Sequence, residues 1–222
     1  VVTGSGRAFC AGADLSAGAA TFDFRDREAS GETLPDAGGR VTLRIYESTK
    51  FVVAAINGPA VGIGVTMTLP MDVRLVARGA RLGFVFTRRG VVPEACSSWF
   101  LPRVVGISTA MEWVATGRLF DAEEAVASGL ARSLHQPVEL LPAAYELAGE
   151  VAREAAPVSV ALSRQLLWRM LGATHPREAH RADSLGMSLR GRSADAHEGV
   201  TAFLEKRGPR FEDRVSTGLP DL

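Results

Sequence analysis

The stretch FVVAAINGPAVGIGVTMTLPMDVRLVARG, residues 51–79, constrains the fold more than any other part of the chain. Phe51 to Ile56 is a continuous apolar run of strand length, as expected for a strand buried on both faces. Asn57, Gly58 and Pro59 end it. A glycine-rich turn then opens a short helix over GIGVTMTLPM, with Pro70 and Asp72 marking its exit. DVRLVARG and RLGFVF read as two further strands. Strand, helix and strand at this spacing predict βαβ crossovers and a largely parallel sheet stack, which places the chain in the α/β class.

The texture changes near residue 106. Before it, short apolar runs alternate with glycine-rich turns; after it, the pattern is helical. STAMEWVATG has a serine cap and a glycine stop, and DAEEAVASG has Asp121 as cap, acids in its first turn and Gly129 as stop. VELLPAAYELAGEVAREA, PVSVALSRQLLWRML and DAHEGVTAFLEKRGPRF continue as amphipathic helices, with Phe211 as an aromatic anchor and a loose tail beyond it. The expected organisation is therefore 1–106 as the core that carries the site and 107–222 as a helical region. The polar, glycine-rich stretch at 15–40 reads as a mobile connection with a partial helix, close to a site rather than in the core.

Composition removes several function classes. The 222 residues are 46% hydrophobic, and 25 basic residues balance 25 acidic ones, which argues against nucleic acid or an acidic membrane as the main partner. No apolar run reaches membrane-spanning length. Cys10 and Cys96 show neither metal spacing nor a disulfide framework, so a reducing cytoplasm is the expected compartment. His135, His175, His180 and His197 all fall in the helical half, away from the glycine-rich loops, and read as solvated surface groups with no metal role. The chain starts at Val1 on a strand ending, VVTGSG, which reads as a fragment or a chain lacking its first part.

Two glycine-rich turns carry the first chemical signal. GSGRAFCAGADL follows the Val1–Val2 strand, and NGPAVGIGVTM follows the Phe51 strand. Such turns let a ligand approach the backbone, and a helix start offers free N–H groups. Two of them face to face would hold an anion or a developing oxyanion. GSGRAF lacks the third glycine and the acidic ribose partner of a dinucleotide site, and no phosphate-loop Lys-Ser/Thr pair is present. There is no G-x-S-x-G elbow. Carboxylates remain: Asp14 after the first loop, Asp72 at the helix exit, and Glu94 in VVPEACSSW. Asp14 reads as a loop tie and Asp72 as a turn acid. For Glu94 two readings stay open. Pro93 and Glu94 would make a good helix start. Equally, Val91, Val92, Trp99 and Phe100 would desolvate the acid and raise its pKa toward the range useful for proton transfer.

In order along the chain, GSGRAFCAGADLS, AAINGPAVGIGVTMTLPMDVRLVA, RLGFVFTRRGVVPEACSSWFLPRVVG, ATGRLFDAEEAVASGLA and EGVTAFLEKRGPRF resemble the signature segments of the crotonase, or enoyl-CoA hydratase/isomerase, superfamily. The resemblance covers almost the whole chain. It implies a spiral of ββα turns followed by a helical C-terminal trimerisation region, and a homotrimer or hexamer. The family's N-terminal strand–helix–strand region, and with it part of the CoA-adenine pocket, has no counterpart before VVTGSG. The resemblance also implies an acyl-CoA thioester as substrate, with no separate cofactor because coenzyme A belongs to the substrate. By position, the backbone N–H groups of Ala13 and Ile63 would polarise the thioester oxygen, Ile63 standing where most members have glycine. Ala11, Gly12, Asp14 and Gly62 would line the substrate, and Phe84, Phe86 and Trp99 would wall the acyl chain or belong to the core.

The two glutamates with which family hydratases hold water fall on Thr66 and Phe86, neither of which can act as a base. Glu94 instead matches the single catalytic glutamate of the peroxisomal-type enoyl-CoA delta-isomerases. The resemblance thus implies an enzyme of fatty-acid metabolism that moves the double bond of a 3-enoyl-CoA into conjugation. The rivals are an enoyl-CoA hydratase in which Glu94 alone activates water, and a non-catalytic acyl-CoA-binding subunit.

Overall fold

The computed structural model describes residues 1–23, 25 and 35–220. Part of the 15–40 connection, residue 24 and residues 26–34, lies outside them. Described pieces of it are a short 3-10 turn at Gly18–Ala20 and the start of a helix, α1 (Ala37–Tyr46).

Seven strands are present among the described residues: β1 (Val2–Thr3), β2 (Val53–Ile56), β3 (Ala60–Val61), β4 (Val73–Ala77), β5 (Arg81–Gly83), β6 (Leu119–Asp121) and β7 (Ser133–His135). One sheet has the order β1-β2-β4-β7 and is parallel throughout; the other is β3-β5-β6, parallel then antiparallel. The predicted α/β parallel core is therefore observed. Val53, Ala54, Ala55 and Ile56 have no exposed surface, as a central strand covered on both faces requires. The helix expected over GIGVTMTLPM is shorter than its apolar pattern: α2 is Ile63–Thr66, and the chain turns on through Met71. The glycines that loosen this stretch also let Ala60–Val61 pair as a strand.

The remaining helices are α3 (Ser97–Val105), α4 (Ile107–Thr116), α5 (Ala122–Ala127), α6 (Pro137–Glu154), α7 (Pro157–Met170), α8 (Pro176–Gly191), α9 (Ala194–Leu204) and α10 (Val215–Gly218). Two compact units emerge. The first comprises Val1–Tyr46 and Val53–Ala144, the second Glu47–Val52 and the chain from Tyr145 onward. The compact division thus falls at residue 144, whereas the texture changes at 106. The reason is that α4, β6, α5 and β7 complete the first unit. Phe84, Trp113 and Phe120 form one aromatic stack there, with Trp113 and Phe120 centroids 4.0 Å apart. In the second unit α7 buries Val158, Ala161 and Leu162. Asp195 accepts from the Glu212 and Asp213 amides, and Phe211 lies against Gly199, so the aromatic anchor is real. The tail is less loose than its composition predicts, because α10 packs on α7.

One buried cation fixes the first unit. Arg74, on β4, donates from Nε to Leu130 O at 2.7 Å, and from Nη1 to the carbonyls of Thr68, Leu69 and Met71 at 2.8, 3.2 and 2.6 Å. Thr68 O also accepts from the Met71 amide, while Leu69 O and Met71 O lie beyond the end of α2, where its single turn supplies no donor. Burial lowers the Arg74 pKa to about 10, partly offset by Asp72, so the guanidinium stays charged at neutral pH. Arg74→Met would strand several buried carbonyls, each costing about 1–3 kcal/mol. We expect a loss of at least about 3 kcal/mol, read as a lower urea midpoint in equilibrium unfolding.

Candidate active site

The two glycine-rich turns lie side by side, joined backbone to backbone. Phe9 and Cys10 donate to Pro59 O, both at 3.1 Å, and Val61 donates to Cys10 O at 3.0 Å. Asn57 ties the first turn down, accepting from the Gly4 amide at 3.0 Å and donating to Gly6 O at 2.9 Å. The approach is too close for side chains: a Cβ on Gly64 would strike the Cys10 carbonyl, and one on Gly12 would fall 2.9 Å from Val61 O. Gly12 and Gly62 also take positive φ, 100° and 57°. The next residues, Ala13 and Ile63, both line one cleft of about 650 Å³. Among the described residues neither of their amides donates to a protein acceptor. Because α2 is a single turn, the helix-dipole contribution expected at Gly62–Gly64 is small beside these direct donors.

Glu94 lines the same cleft. It does not start a helix: α3 begins at Ser97, whose amide and hydroxyl donate to Glu94 O at 2.9 and 2.6 Å. Between them Ala95 and Cys96 take left-handed φ values of 54° and 56°. The Glu94 carboxyl is half-buried, and its Oε1 accepts from the Thr66 hydroxyl at 2.6 Å. Desolvation raises its pKa above the ordinary carboxylate value. The Thr66 hydrogen bond opposes this, and the negative charge of Asp36 adds to it.

Of the predicted site residues, Ala11, Gly12, Ala13, Gly62, Ile63, Phe86 and Glu94 line the cleft. Three do not. Phe84 is fully buried in the stack with Trp113 and Phe120 just past the end of β5, whereas Phe86 already has helical φ and ψ at the start of the turn over Thr87–Arg89. Trp99 packs on Tyr46, Phe100 and the Arg103 guanidinium and is not part of the cleft lining. Asp14 is exposed, its carboxylate accepting from the Ser16 amide at 2.9 Å, which lowers its pKa: it is a loop tie. The cleft also holds residues the sequence reading did not select. Asp36 brings a second carboxylate, so Glu94 is not a lone acid, and Arg89 brings a cation. Gly38 lies under Glu94, and a Cβ there would collide with Glu94 Oε2. The signal for this group was Asp36 followed by Gly38-Gly39 at a helix start, an N-cap pattern with a side-chain-free face. His135 bonds Ser133, His175 caps α8 and His197 bonds Ser193 O. Among the described residues no His, Cys, Asp and Glu side chains gather as a metal site requires, and no helix is long and apolar enough to cross a membrane.

The family profile described as enoyl-CoA hydratase/isomerase matches residues 1–214. The chain is 43% identical over 216 residues to an Alternaria alternata protein named enoyl-CoA hydratase ACTT3, covering 97% of this chain and 71% of that one. It is 33% identical to the 1,2-epoxyphenylacetyl-CoA isomerase of Escherichia coli, covering 95% and 79%. A crystal structure of enoyl-CoA hydratase from Bacillus anthracis superposes with a TM-score of 0.86 at 30% identity, covering 96% of this chain and 80% of the other.

The raised pKa of Glu94 makes stability depend on pH in a defined direction. The native state binds the Glu94 proton more tightly than the unfolded chain. The carboxyl therefore supports the fold fully below its unfolded value, and that support is lost as pH rises through the folded value. Glu94→Gln removes the titration. Wild type should lose stability relative to this variant between the ordinary carboxylate pKa and the raised one, as measured by denaturant midpoints across pH.

Proposed function

We propose that this chain, which belongs to the enoyl-CoA hydratase/isomerase family, stabilises a thioester enolate and moves the double bond of a 3-enoyl-CoA into conjugation. Its α/β fold is that of the crotonase superfamily. In the proposed reaction the thioester oxygen sits on the Ala13 and Ile63 amides. Glu94, ionised, takes a proton from the carbon next to the carbonyl. The electron pair moves toward the oxygen, and the resulting dienolate is reprotonated by Glu94 at the far carbon of the allyl system. One carboxyl group thus closes the proton balance.

The observation that carries this reading is the convergence on one cleft of Glu94, a half-buried carboxyl with raised proton affinity, and two amides that have no acceptor among the described residues. Donors that meet a charge only once it develops lower the barrier, each typically by about 2.7–4 kcal/mol. A raised pKa brings the carboxylate closer to the proton affinity of the carbon acid. Thr66 and Phe86, at the positions where family hydratases carry glutamates, offer no second base, and Phe86 presents a hydrocarbon wall.

A second reading is hydration of a 2-enoyl-CoA, with Glu94 activating the water. It is supported by the hydratase names of the relatives and by Asp36 lining the same cleft. The two readings separate on substrates. Incubation with a 3-enoyl-CoA should raise conjugated-thioester absorbance; loss of that absorbance from a 2-enoyl-CoA, with the 3-enoyl-CoA untouched, selects hydration. Glu94→Gln should keep binding the CoA thioester and lose about 10²–10⁴-fold in kcat. Turnover at the wild-type rate would remove Glu94 from the chemistry.

The family resemblance also supports a trimer or hexamer. Within the second unit, Leu185 and Met187 on α8 and Val200, Phe203 and Leu204 on α9 are exposed, Phe203 at 81%. Exposed apolar groups at this density mark protein contacts. Phe203→Glu is expected to lower the molecular mass found by light scattering toward that of one chain.

A further inference from the structure

We propose that Asp36 is the positioning residue of the site: its carboxylate clamps the turn after Glu94 and so aims the Glu94 side chain over Gly38 into the cleft. The inference rests on the reading of Glu94 as the proton carrier and adds the part that holds it there.

Asp36 Oδ1 accepts two amide protons at once. One comes from Gly39, at 2.6 Å, and caps α1; the other comes from Ala95, at 3.1 Å. A single oxygen therefore joins the start of α1 to the residue next to Glu94. That junction is where the backbone needs holding. Ala95 and Cys96 are consecutive non-glycine residues at positive φ. Such a conformation is costly for a residue with a side chain and persists only when its surroundings enforce it. The Ser97 contacts to Glu94 O hold the far end of the turn, and Asp36 holds the near end. With the turn fixed, the Glu94 side chain is gripped by Thr66 at Oε1, while Oε2 rests in the space that Gly38 leaves empty.

The same carboxylate acts through its charge. The groups around the Glu94 carboxyl are the neutral Thr66 hydroxyl from α2, Asp36 from the start of α1 and the Cys96 thiol of its own loop, with Arg89 lining the same cleft. Asp36 raises the proton affinity of Glu94 and of Cys96. Position and charge can be separated by two substitutions. Asp36→Asn keeps an amide-accepting oxygen and removes the charge. Asp36→Ser keeps a good helix cap and is too short to reach Ala95 as well.

The test uses the full chain and the substrate on which it turns over. Asp36→Ser should lower kcat about 10- to 100-fold through misplacement of the base, with KM nearly unchanged. Asp36→Asn should retain most of kcat and move the acidic limb of the pH–rate profile to lower pH. If Asp36→Ser fails to fold, Asp36→Asn decides alone. Wild-type kcat in a folded Asp36→Ser protein, or an unmoved acidic limb in Asp36→Asn, overturns the proposal. So does a collapse of turnover in Asp36→Asn equal to that of Glu94→Gln, since Asp36 would then itself carry a proton. A readout without turnover keeps this failure apart from failure of the Glu94 reading. The pH window over which wild type and Glu94→Gln differ in stability should move to lower pH when both are measured in the Asp36→Asn background.

Discussion

The bond from the Val61 amide to the Cys10 carbonyl sets the distance between two loops that are remote in sequence. Backbone meets backbone there, and Gly12 and Gly64 are the residues that permit it. With any larger residue at position 64, the first loop would be pushed away from α2. Ala13 and Ile63 would then no longer share a cleft. The geometry is maintained from behind. Central strand β2 feeds the second loop, Asn57 pins the first, and Arg74 gathers the carbonyls at the far end of α2. The placement of the Ala13 and Ile63 amides is thus a consequence of core packing rather than of the loops' own preferences. This is how a site gains donors that need no reorganisation when charge develops.

The acid side of the cleft is built on opposed effects. Burial disfavours the charged form of Glu94, and Asp36 disfavours it further, while the Thr66 hydroxyl favours it. A proton carrier needs both forms within reach, so the opposition matters more than any single contribution. Removing Thr66's bond would leave the carboxyl more readily protonated and free to rotate. Without Asp36 it would be more readily ionised and its turn unclamped. The strained turn at Ala95–Cys96 belongs to the same logic. It places Glu94 ahead of α3 rather than in its first turn, where the side chain would meet solvent and the helix dipole would hold the carboxylate ionised.

The sequence carried the parallel sheet, the two loops and Glu94, because these are local: an apolar run, a glycine pattern, a polar residue among valines. It did not carry the tertiary partners. Thr66 was legible as a residue that replaces a base, yet its hydroxyl donates to a carboxylate 28 positions away. Asp36 looked like part of a polar connection, because the clamp on Ala95 spans 59 positions. The aromatics misled for a related reason. Phe84 and Phe86 stand two positions apart in one apolar run, and only the stacked neighbours Trp113 and Phe120 and the turn that begins at Phe86 send the first to the aromatic stack and the second to the cleft. Helix α8 has weak amphipathic patterning, and its start rests on His175 as cap with Pro176 behind it, so hydrophobic period alone passes over it.

Ile63 shows how such tertiary constraints are shared between distant positions. The resemblance places glycine there in most of the family, and an added side chain would be expected to narrow the pocket. Its Cδ1 instead extends over α1, where a Cβ on Gly38 would fall 2.7 Å from it. Gly38 therefore makes room for two groups at once, the Ile63 methyl and the Glu94 carboxylate. The two groups therefore share one small space at the wall of the cleft, each close to the position that a Gly38 side chain would fill. A glycine at 63 with a larger residue at 38 would keep the oxyanion donors and displace the acid. The pair Ile63–Gly38 thus ties the shape of one glycine-rich loop to the position of the acid that faces it across the cleft.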